Sequence, residues 1–78
     1  MEVIIYTDGA SRGNPGKAGI GIVIYNKNME VLMEKYEYIG ITTNNVAEYK
    51  AVLLGLEMAR DMKVEVVKLF ADSQLLIR

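Results

Sequence analysis

Residues 6–16 read YTDGASRGNPG and join the end of an apolar run to a glycine-rich segment. An acid, Asp8, ends an apolar and β-branched run over residues 2–8. Both faces of that run are mostly apolar, which predicts a strand near the middle of a sheet. Glycine, asparagine and proline are crowded into residues 10–17, which predicts a turn. The sequence therefore places a carboxylate where a buried strand gives way to a loop.

The composition indicates one small globular domain. The chain has 78 residues, of which 51% are hydrophobic and 24% are charged, so its core is modest. Cysteine and histidine are both missing, which leaves carboxylates, lysines and tyrosines for acid–base or metal chemistry. Typical nucleic-acid-binding proteins are basic, and the net charge of −1 argues weakly against that function. The argument is weak because bound divalent cations would offset the negative charge of an acidic site. With neither a signal-peptide pattern nor a membrane-length apolar run, we expect a cytoplasmic protein.

Further elements follow the first turn. Strands are predicted over residues 18–26 and 30–39, which with the first strand make a three-stranded antiparallel meander. A helix is predicted over residues 46–62, a fourth strand over residues 64–72, and the start of a second helix at residues 72–77. A helix between strands indicates a crossover, so the fourth strand should pair parallel to the first. The predicted fold class is α/β.

Three acidic residues converge in this arrangement. Parallel pairing brings the carboxyl ends of two strands together, so Asp8 and Asp72 should lie side by side at one edge of the sheet. Glu48 falls on the otherwise apolar side of the helix and should point inward near the same region. Carboxylates held this close repel one another, and divalent cations are the usual remedy. Two Mg²⁺ or Mn²⁺ ions at such a site would activate water and stabilise the leaving oxygen in phosphodiester cleavage.

Each acid also has a purely structural explanation. Asp8 could belong to a hairpin turn, although residues 14–16 already offer one. Glu48 could complete a capping box with Asn45 at an ordinary helix start. Asp72 could simply cap the last helix. The convergence of all three acids is what favours a metal site.

The neighbouring polar residues also allow two interpretations. Residues 13–16 could be a tight connection, or a loop whose backbone amides approach a phosphate or a sugar. Asn44, Asn45 and Gln74 are of types that are most often exposed or cap helices, yet their amides could reach sugars or base edges in a minor groove. The five tyrosines and five methionines are expected in core and strand packing rather than in a base-stacking platform.

Three motifs resemble those of the ribonuclease H type 1 family. Thr7-Asp8-Gly9-Ala10 with Gly13-Asn14-Pro15-Gly16 is similar to the first active-site motif, Thr43-Asn44-Asn45-Val46-Ala47-Glu48-Tyr49 to the second, and Ala71-Asp72-Ser73-Gln74 to the third. The motifs occur in the family's order and at similar spacing, across essentially all 78 residues. The resemblance implies a ribonuclease H-like fold, with the meander, the crossover helix and the parallel fourth strand as its parts.

The resemblance also implies an activity. It would be endonucleolytic hydrolysis of the RNA strand of an RNA–DNA hybrid, leaving a 5′-phosphate and a 3′-hydroxyl. The implied metal ligands for two Mg²⁺ or Mn²⁺ ions are Asp8, Glu48 and Asp72, together with Gly9. The implied contacts to the hybrid are Gly13, Asn14, Asn44, Asn45 and Gln74.

The family domain is longer than this chain. Its later helices, fifth strand and fourth metal-binding aspartate have no counterpart in the 78 residues, nor does a loop histidine that assists product release. We therefore expect residues 1–78 to form a single, incomplete domain with one uncovered sheet face. Such a chain should self-associate or fold incompletely, with weak or absent nuclease activity alone. The alternative is a non-cleaving nucleic-acid-binding or structural fragment that completes its fold by self-association or with another chain.

Overall fold

The computed structural model describes residues 1–71. In chain order it contains strands β1 (Glu2–Gly13), β2 (Gly16–Tyr25) and β3 (Val31–Thr42), helix α1 (Asn44–Asp61) and strand β4 (Val66–Ala71). The sheet order is β3-β2-β1-β4, with β4 parallel to β1 and the other neighbours antiparallel. The predicted α/β class, antiparallel meander, crossover helix and parallel fourth strand are confirmed. The predicted second helix, over residues 72–77, lies outside the described residues.

The first turn is shorter than predicted. β1 stays paired with β2 as far as the Gly13–Gly16 pair, so only residues 14–15 form the turn. The continuous ladder satisfies backbone groups that a longer loop would leave to water, and Gly13 supplies the positive φ of 86° that the turn needs. The prediction that Asp8 ends its strand is therefore wrong, because Asp8 lies within β1 and pairs with Gly21.

Helix α1 begins two residues before the predicted start, at Asn44. Its N-cap is Thr43, whose Oγ1 accepts a hydrogen bond from the Val46 backbone N–H at 3.2 Å. This geometry satisfies one of the free amides of the first turn. The capping box considered for Asn45 and Glu48 is wrong, since the cap position is already occupied by Thr43.

The end of α1 is closed by a Schellman motif. The C-cap is Met62, and the Lys63 N–H donates to the Arg60 carbonyl at 2.9 Å. The Val64 N–H donates to the Ala59 carbonyl at 3.4 Å. These two bonds are the pattern expected when the residue after the cap takes a left-handed conformation, and Lys63 has a φ of 58°.

The core lies between α1 and one face of the sheet. The fully or nearly buried sheet residues include Val3, Ile5, Thr7, Ala18, Ile20, Ile22 and Ile24, and α1 buries Ala47, Ala51, Gly55 and Ala59 at four-residue spacing. A Cβ on Gly55 would lie 3.2 Å from methyl carbons of Ile5 and Thr7, so small residues on α1 let the helix sit close to the sheet. We call this side of the sheet the helix face.

The other side of the sheet carries no element among residues 1–71, and we call it the open face. Side chains alternate between the two faces along each strand. The open face receives Ile4, Tyr6, Asp8, Ala10 and Arg12 from β1 and Lys17, Gly19, Gly21 and Val23 from β2. No helix within the described part of the chain is long and apolar enough to cross a membrane.

Candidate active site

Asp8 lies on the open face, between two buried neighbours. Thr7 and Gly9 are directed to the helix face and are buried, whereas Asp8 is exposed. Its cross-strand partner on β2 is Gly21, and the partner of Gly21 on β3 is Tyr36. Asp8 therefore has no side chain opposite it on β2, and it is exposed on the open face.

Gly9 brings β1 into direct backbone contact with the first turns of α1. A Cβ on Gly9 would lie 2.6 Å from the Glu48 backbone nitrogen and would also overlap the Ala47 carbonyl group. Any residue larger than glycine would push the helix away from the strand. The contact places Glu48 against the residue that follows Asp8, although the two acids come from opposite sides of the sheet.

Glu48 is half-buried and lies next to the row of buried small residues of α1, which are Ala47, Ala51, Gly55 and Ala59. Its position fits the prediction that the acid lies on the inward side of the helix. The structure gives Gly9 a packing role that sequence reasoning missed, since Gly9 was considered only in a hairpin turn with Asp8 or as a metal ligand. The ligand assignment of Gly9 stays a prediction.

The third predicted acid, Asp72, lies outside the described residues. The last described pair between β1 and β4 joins Thr7 to Ala71, the residue before Asp72. Within residues 1–71, no three acidic side chains form a group that could hold a metal ion. The three-carboxylate cluster therefore stays a prediction, of which the structure describes the two members Asp8 and Glu48.

Two asparagines tie the β1–β2 hairpin to the start of α1. The Ser11 backbone N–H donates to Asn44 Oδ1 at 2.9 Å, and the Asn44 backbone N–H donates to Asn14 Oδ1 at 2.9 Å. Both carboxamide oxygens are thus used inside the protein. Neither side-chain NH₂ group donates a hydrogen bond within residues 1–71, so each can donate to a ligand.

The other residues predicted to contact nucleic acid are either exposed or outside the described residues. Asn45 is exposed in the first turn of α1, and Gly13 is exposed at the hairpin. Gln74 lies outside the described residues. Sequence reasoning missed two further participants, the Ser11 amide and the Thr43 cap. A threonine directly before an apolar helical pattern is a start signal that could have revealed Thr43.

Comparison with known proteins identifies the family. The RNase H family profile matches residues 1–78, and the chain belongs to the RNase H family. It is 45% identical over 74 residues to the ribonuclease HI of Halobacterium salinarum, covering 95% of this chain and 37% of that protein. It is 42% identical over 78 residues to the bifunctional protein Rv2228c of Mycobacterium tuberculosis, covering 99% of this chain and 21% of that protein.

Solved structures show the same fold. LC11-RNase H1 in complex with an RNA/DNA hybrid superposes with a TM-score of 0.85 at 48% identity, over 97% of this chain and 58% of that chain. The RNase H1 of Halobacterium salinarum superposes with a TM-score of 0.89 at 44% identity, over 96% of this chain and 57% of that chain. The expected ribonuclease H-like fold is confirmed. The chain spans less than three-fifths of these solved chains and under two-fifths of the curated relatives named above.

Proposed function

We propose that this chain carries the substrate-binding and metal-binding elements of a ribonuclease H, which hydrolyses the RNA strand of RNA–DNA hybrids. The observation that carries the proposal is the backbone contact at Gly9, which sets Glu48 of α1 against the residue that follows Asp8. A carboxylate from each side of the sheet then serves one site. Membership of the RNase H family and the likeness to an RNase H1 in complex with an RNA/DNA hybrid support the substrate.

The proposed site is suited to hard divalent cations. Asp8 and Glu48 offer carboxylate oxygens, and histidine and cysteine are both missing from the sequence, so the donors match Mg²⁺ or Mn²⁺ rather than softer metals. Asp72 is proposed as the third ligand and the Gly9 carbonyl as a fourth donor. Two such ions would supply the charge that activates a water molecule and stabilises the leaving oxygen.

The chain's own residues position the RNA strand. The NH₂ groups of Asn14 and Asn44 are held at the junction of the hairpin and α1, where they can donate to 2′-hydroxyls or to minor-groove acceptors. Asn45, Gly13 and Gln74 complete the proposed contact set. In the first turn of α1 the Asn44 and Val46 amides are already bonded to Asn14 and Thr43, so the Asn45 N–H is the one proposed to approach a phosphate. Contacts to the 2′-hydroxyl would distinguish RNA from DNA.

We also propose that the 78-residue chain forms one domain that self-associates or joins another chain, and that its nuclease activity alone is weak. The support is apolar surface on the open face, where Tyr6 is 43% exposed and Phe70 is 49% exposed. These two rings stack with centroids 5.2 Å apart, and they form one continuous aromatic surface with Tyr25. Exposed patches of this kind mark association sites. Sedimentation of a well-folded monomer at low concentration would contradict this part of the proposal.

Cleavage of a labelled RNA–DNA hybrid tests the proposed function. We expect slow cleavage with Mg²⁺ or Mn²⁺ and a loss of at least about 100-fold in Asp8→Asn, because removal of a metal ligand costs more than loss of a supporting contact. Glu57→Gln, which changes an exposed acid on the outer side of α1, is the matched control and should keep the wild-type rate. Cleavage that survives Asp8→Asn would exclude the assigned site. A folded protein that binds the hybrid without cutting it would favour the non-cleaving alternative.

A further inference from the structure

A groove of about 1260 Å³ runs along the open face from Tyr6 and Phe70, past Asp8, to the turn end of the β1–β2 hairpin. Only its middle belongs to the candidate active site. The part between Asp8 and the hairpin is formed by β1, β2 and β3 and takes no part in the function proposed above. We call this part the hairpin track, and the residues that line it on the open face are Ala10, Arg12, Lys17, Gly19, Gly21, Tyr36 and Tyr38.

Two tyrosines on β3 form one side of the hairpin track. Tyr36 is 70% exposed and Tyr38 is 64% exposed, so neither ring lies in the core. Two ring carbons of Tyr36 lie 3.1 and 3.2 Å from the position that a Cβ on Gly21 would take. The Tyr36 ring therefore lies across Gly21, and most of its surface is exposed. Gly21 pairs with both Tyr36 and Asp8, so the three residues lie side by side across the sheet.

The floor of the hairpin track is nearly free of side chains. Ala10 and Gly19 face each other across β1 and β2. A Cβ on Gly19 would meet no atom closer than the Glu37 carbonyl oxygen at 3.5 Å, so a ligand can reach the main chain there. Glu37 also lines the groove, and the alternation along β3 directs its side chain to the other face of the sheet.

Two cations stand at the hairpin end of the track. Arg12 and Lys17 are cross-strand partners, both are exposed, and neither forms an ion pair within residues 1–71. Four residues of β1 separate Arg12 from Asp8, which corresponds to about 13 Å at about 3.3 Å per residue. That length accommodates about four stacked nucleotides at about 3.4 Å each.

We propose that the hairpin track binds a single-stranded nucleic-acid segment that continues from the hybrid beyond the candidate active site. Tyr36 and Tyr38 offer flat surfaces on which unpaired bases stack, and a duplex would hide those base faces. Arg12 and Lys17 offer charge for the phosphates of the same strand. The inference that this segment continues from a hybrid bound at Asp8 rests on the proposed function. The proposal predicts that the protein prefers hybrids that end in a single-stranded overhang.

The test compares the affinities of the full chain for a blunt RNA–DNA hybrid and for the same hybrid with an overhang of about four nucleotides. Fluorescence anisotropy in a Ca²⁺ buffer measures both. We expect the overhang to tighten binding about tenfold, the gain from one well-stacked base. Equal affinities for the two hybrids would overturn the proposal.

Two substitutions at Tyr36 distinguish base stacking on its ring from the simple covering of Gly21. Tyr36→Phe keeps an aromatic ring and should keep the overhang preference, whereas Tyr36→Leu keeps an apolar cover and should lose it. Both variants should bind the blunt hybrid as the wild type does. Tyr49→Leu, at a tyrosine that is 65% exposed on α1, is the control and should change neither affinity. An equal loss in Tyr36→Leu and Tyr49→Leu would overturn the assignment.

The cations and the proposed function are tested separately. Arg12→Gln with Lys17→Gln should reduce the salt dependence of binding to the overhang hybrid, and Lys50→Gln with Lys63→Gln is the control pair. If the wild type neither binds nor cuts the blunt hybrid, the proposed function fails. Binding of a single-stranded oligonucleotide that falls in Tyr36→Leu would still support the hairpin track. A Tyr36→Leu change in sedimentation without a change in binding would overturn it in favour of self-association.

Discussion

The two faces of the sheet differ sharply, although the same strands build both. On the helix face, Ile5, Ile22 and Ile24 have no exposed surface and pack against the small residues of α1. On the open face, Asp8, Arg12, Lys17 and the tyrosines of β3 remain accessible. The difference shows that buried packing residues and accessible residues alternate along the same strands, one residue apart in sequence.

The faces meet at Gly9. Its missing side chain allows α1 to touch β1, which brings Glu48 from the helix side toward the position of Asp8. The candidate site therefore depends on packing at one glycine as much as on the acids themselves. Two substitution pairs test this division, and two smaller effects test the end of α1 and an exposed charge contact.

Neighbouring residues on β2 should respond very differently to truncation. Ile22→Ala removes a fully buried side chain from the helix face, which should lower the free energy of unfolding by about 2–5 kcal/mol. Val23→Ala removes a half-buried side chain from the open face and should cost about 1 kcal/mol or less. Urea denaturation measures both. Equal losses would mean that the open face is packed as tightly as the helix face.

Substitution at Gly9 should damage both the packing and the site. Gly9→Ala places a methyl group against backbone atoms of Ala47 and Glu48, and such overpacking costs about 1–3 kcal/mol. Gly19→Ala is the matched control, because its methyl group would have no neighbour closer than 3.5 Å. Thermal denaturation compares the two. If Gly9→Ala is as stable as Gly19→Ala, the close contact between β1 and α1 is not required.

The same substitution at two lysines of the helical region should have opposite signs. Lys63 follows the C-cap of α1 with a φ of 58°, so Lys63→Gly should raise the free energy of unfolding by about 0.5–1 kcal/mol. Lys50 lies within α1, where glycine costs about 1 kcal/mol. Chemical denaturation of both variants measures the difference. A loss of stability in Lys63→Gly would contradict the Schellman geometry that ends the helix.

The smallest effect is expected from an exposed charge contact. The N-terminal amino group donates a hydrogen bond to Glu65 at 2.6 Å, and this bond together with the amine's charge lowers the pKa of Glu65. A lowered folded-state pKa stabilises the protein above the unfolded pKa, and that stabilisation is lost as pH falls through the folded value. Glu65→Gln should therefore change the melting temperature only slightly at pH 7 and not at all in acid. A large change at pH 7 would contradict this assignment.

Much of the fold could be predicted because it follows from local pattern. The alternation of Ile20, Ile22 and Ile24 with smaller residues fixed one face of β2, and the helix between strands predicted a parallel fourth strand. The end of β1 could not be predicted, because cross-strand pairing overrides the turn propensity of residues 10–13. The start of α1 was misplaced because the Thr43 cap was overlooked.

The candidate site was predictable only in part. Asp8 and Glu48 could be selected by their positions in amphipathic patterns, but the contact that relates them could not. The role of Gly9 depends on how closely two backbones approach, and no periodicity reports that distance. Likewise, the exposure of Tyr36 depends on the edge position of β3 and on Gly21 beneath its ring, both of which follow from tertiary structure.

The central claim is that Asp8 and Glu48 belong to one metal site although they come from opposite sides of the sheet. Calorimetric titration with Mn²⁺ tests it directly, in the wild type, Asp8→Asn, Glu48→Gln and the control Glu57→Gln. We expect each of the first two substitutions to weaken Mn²⁺ binding by at least about tenfold, and Glu57→Gln to leave it unchanged. Wild-type affinity in either Asp8→Asn or Glu48→Gln would contradict the claim.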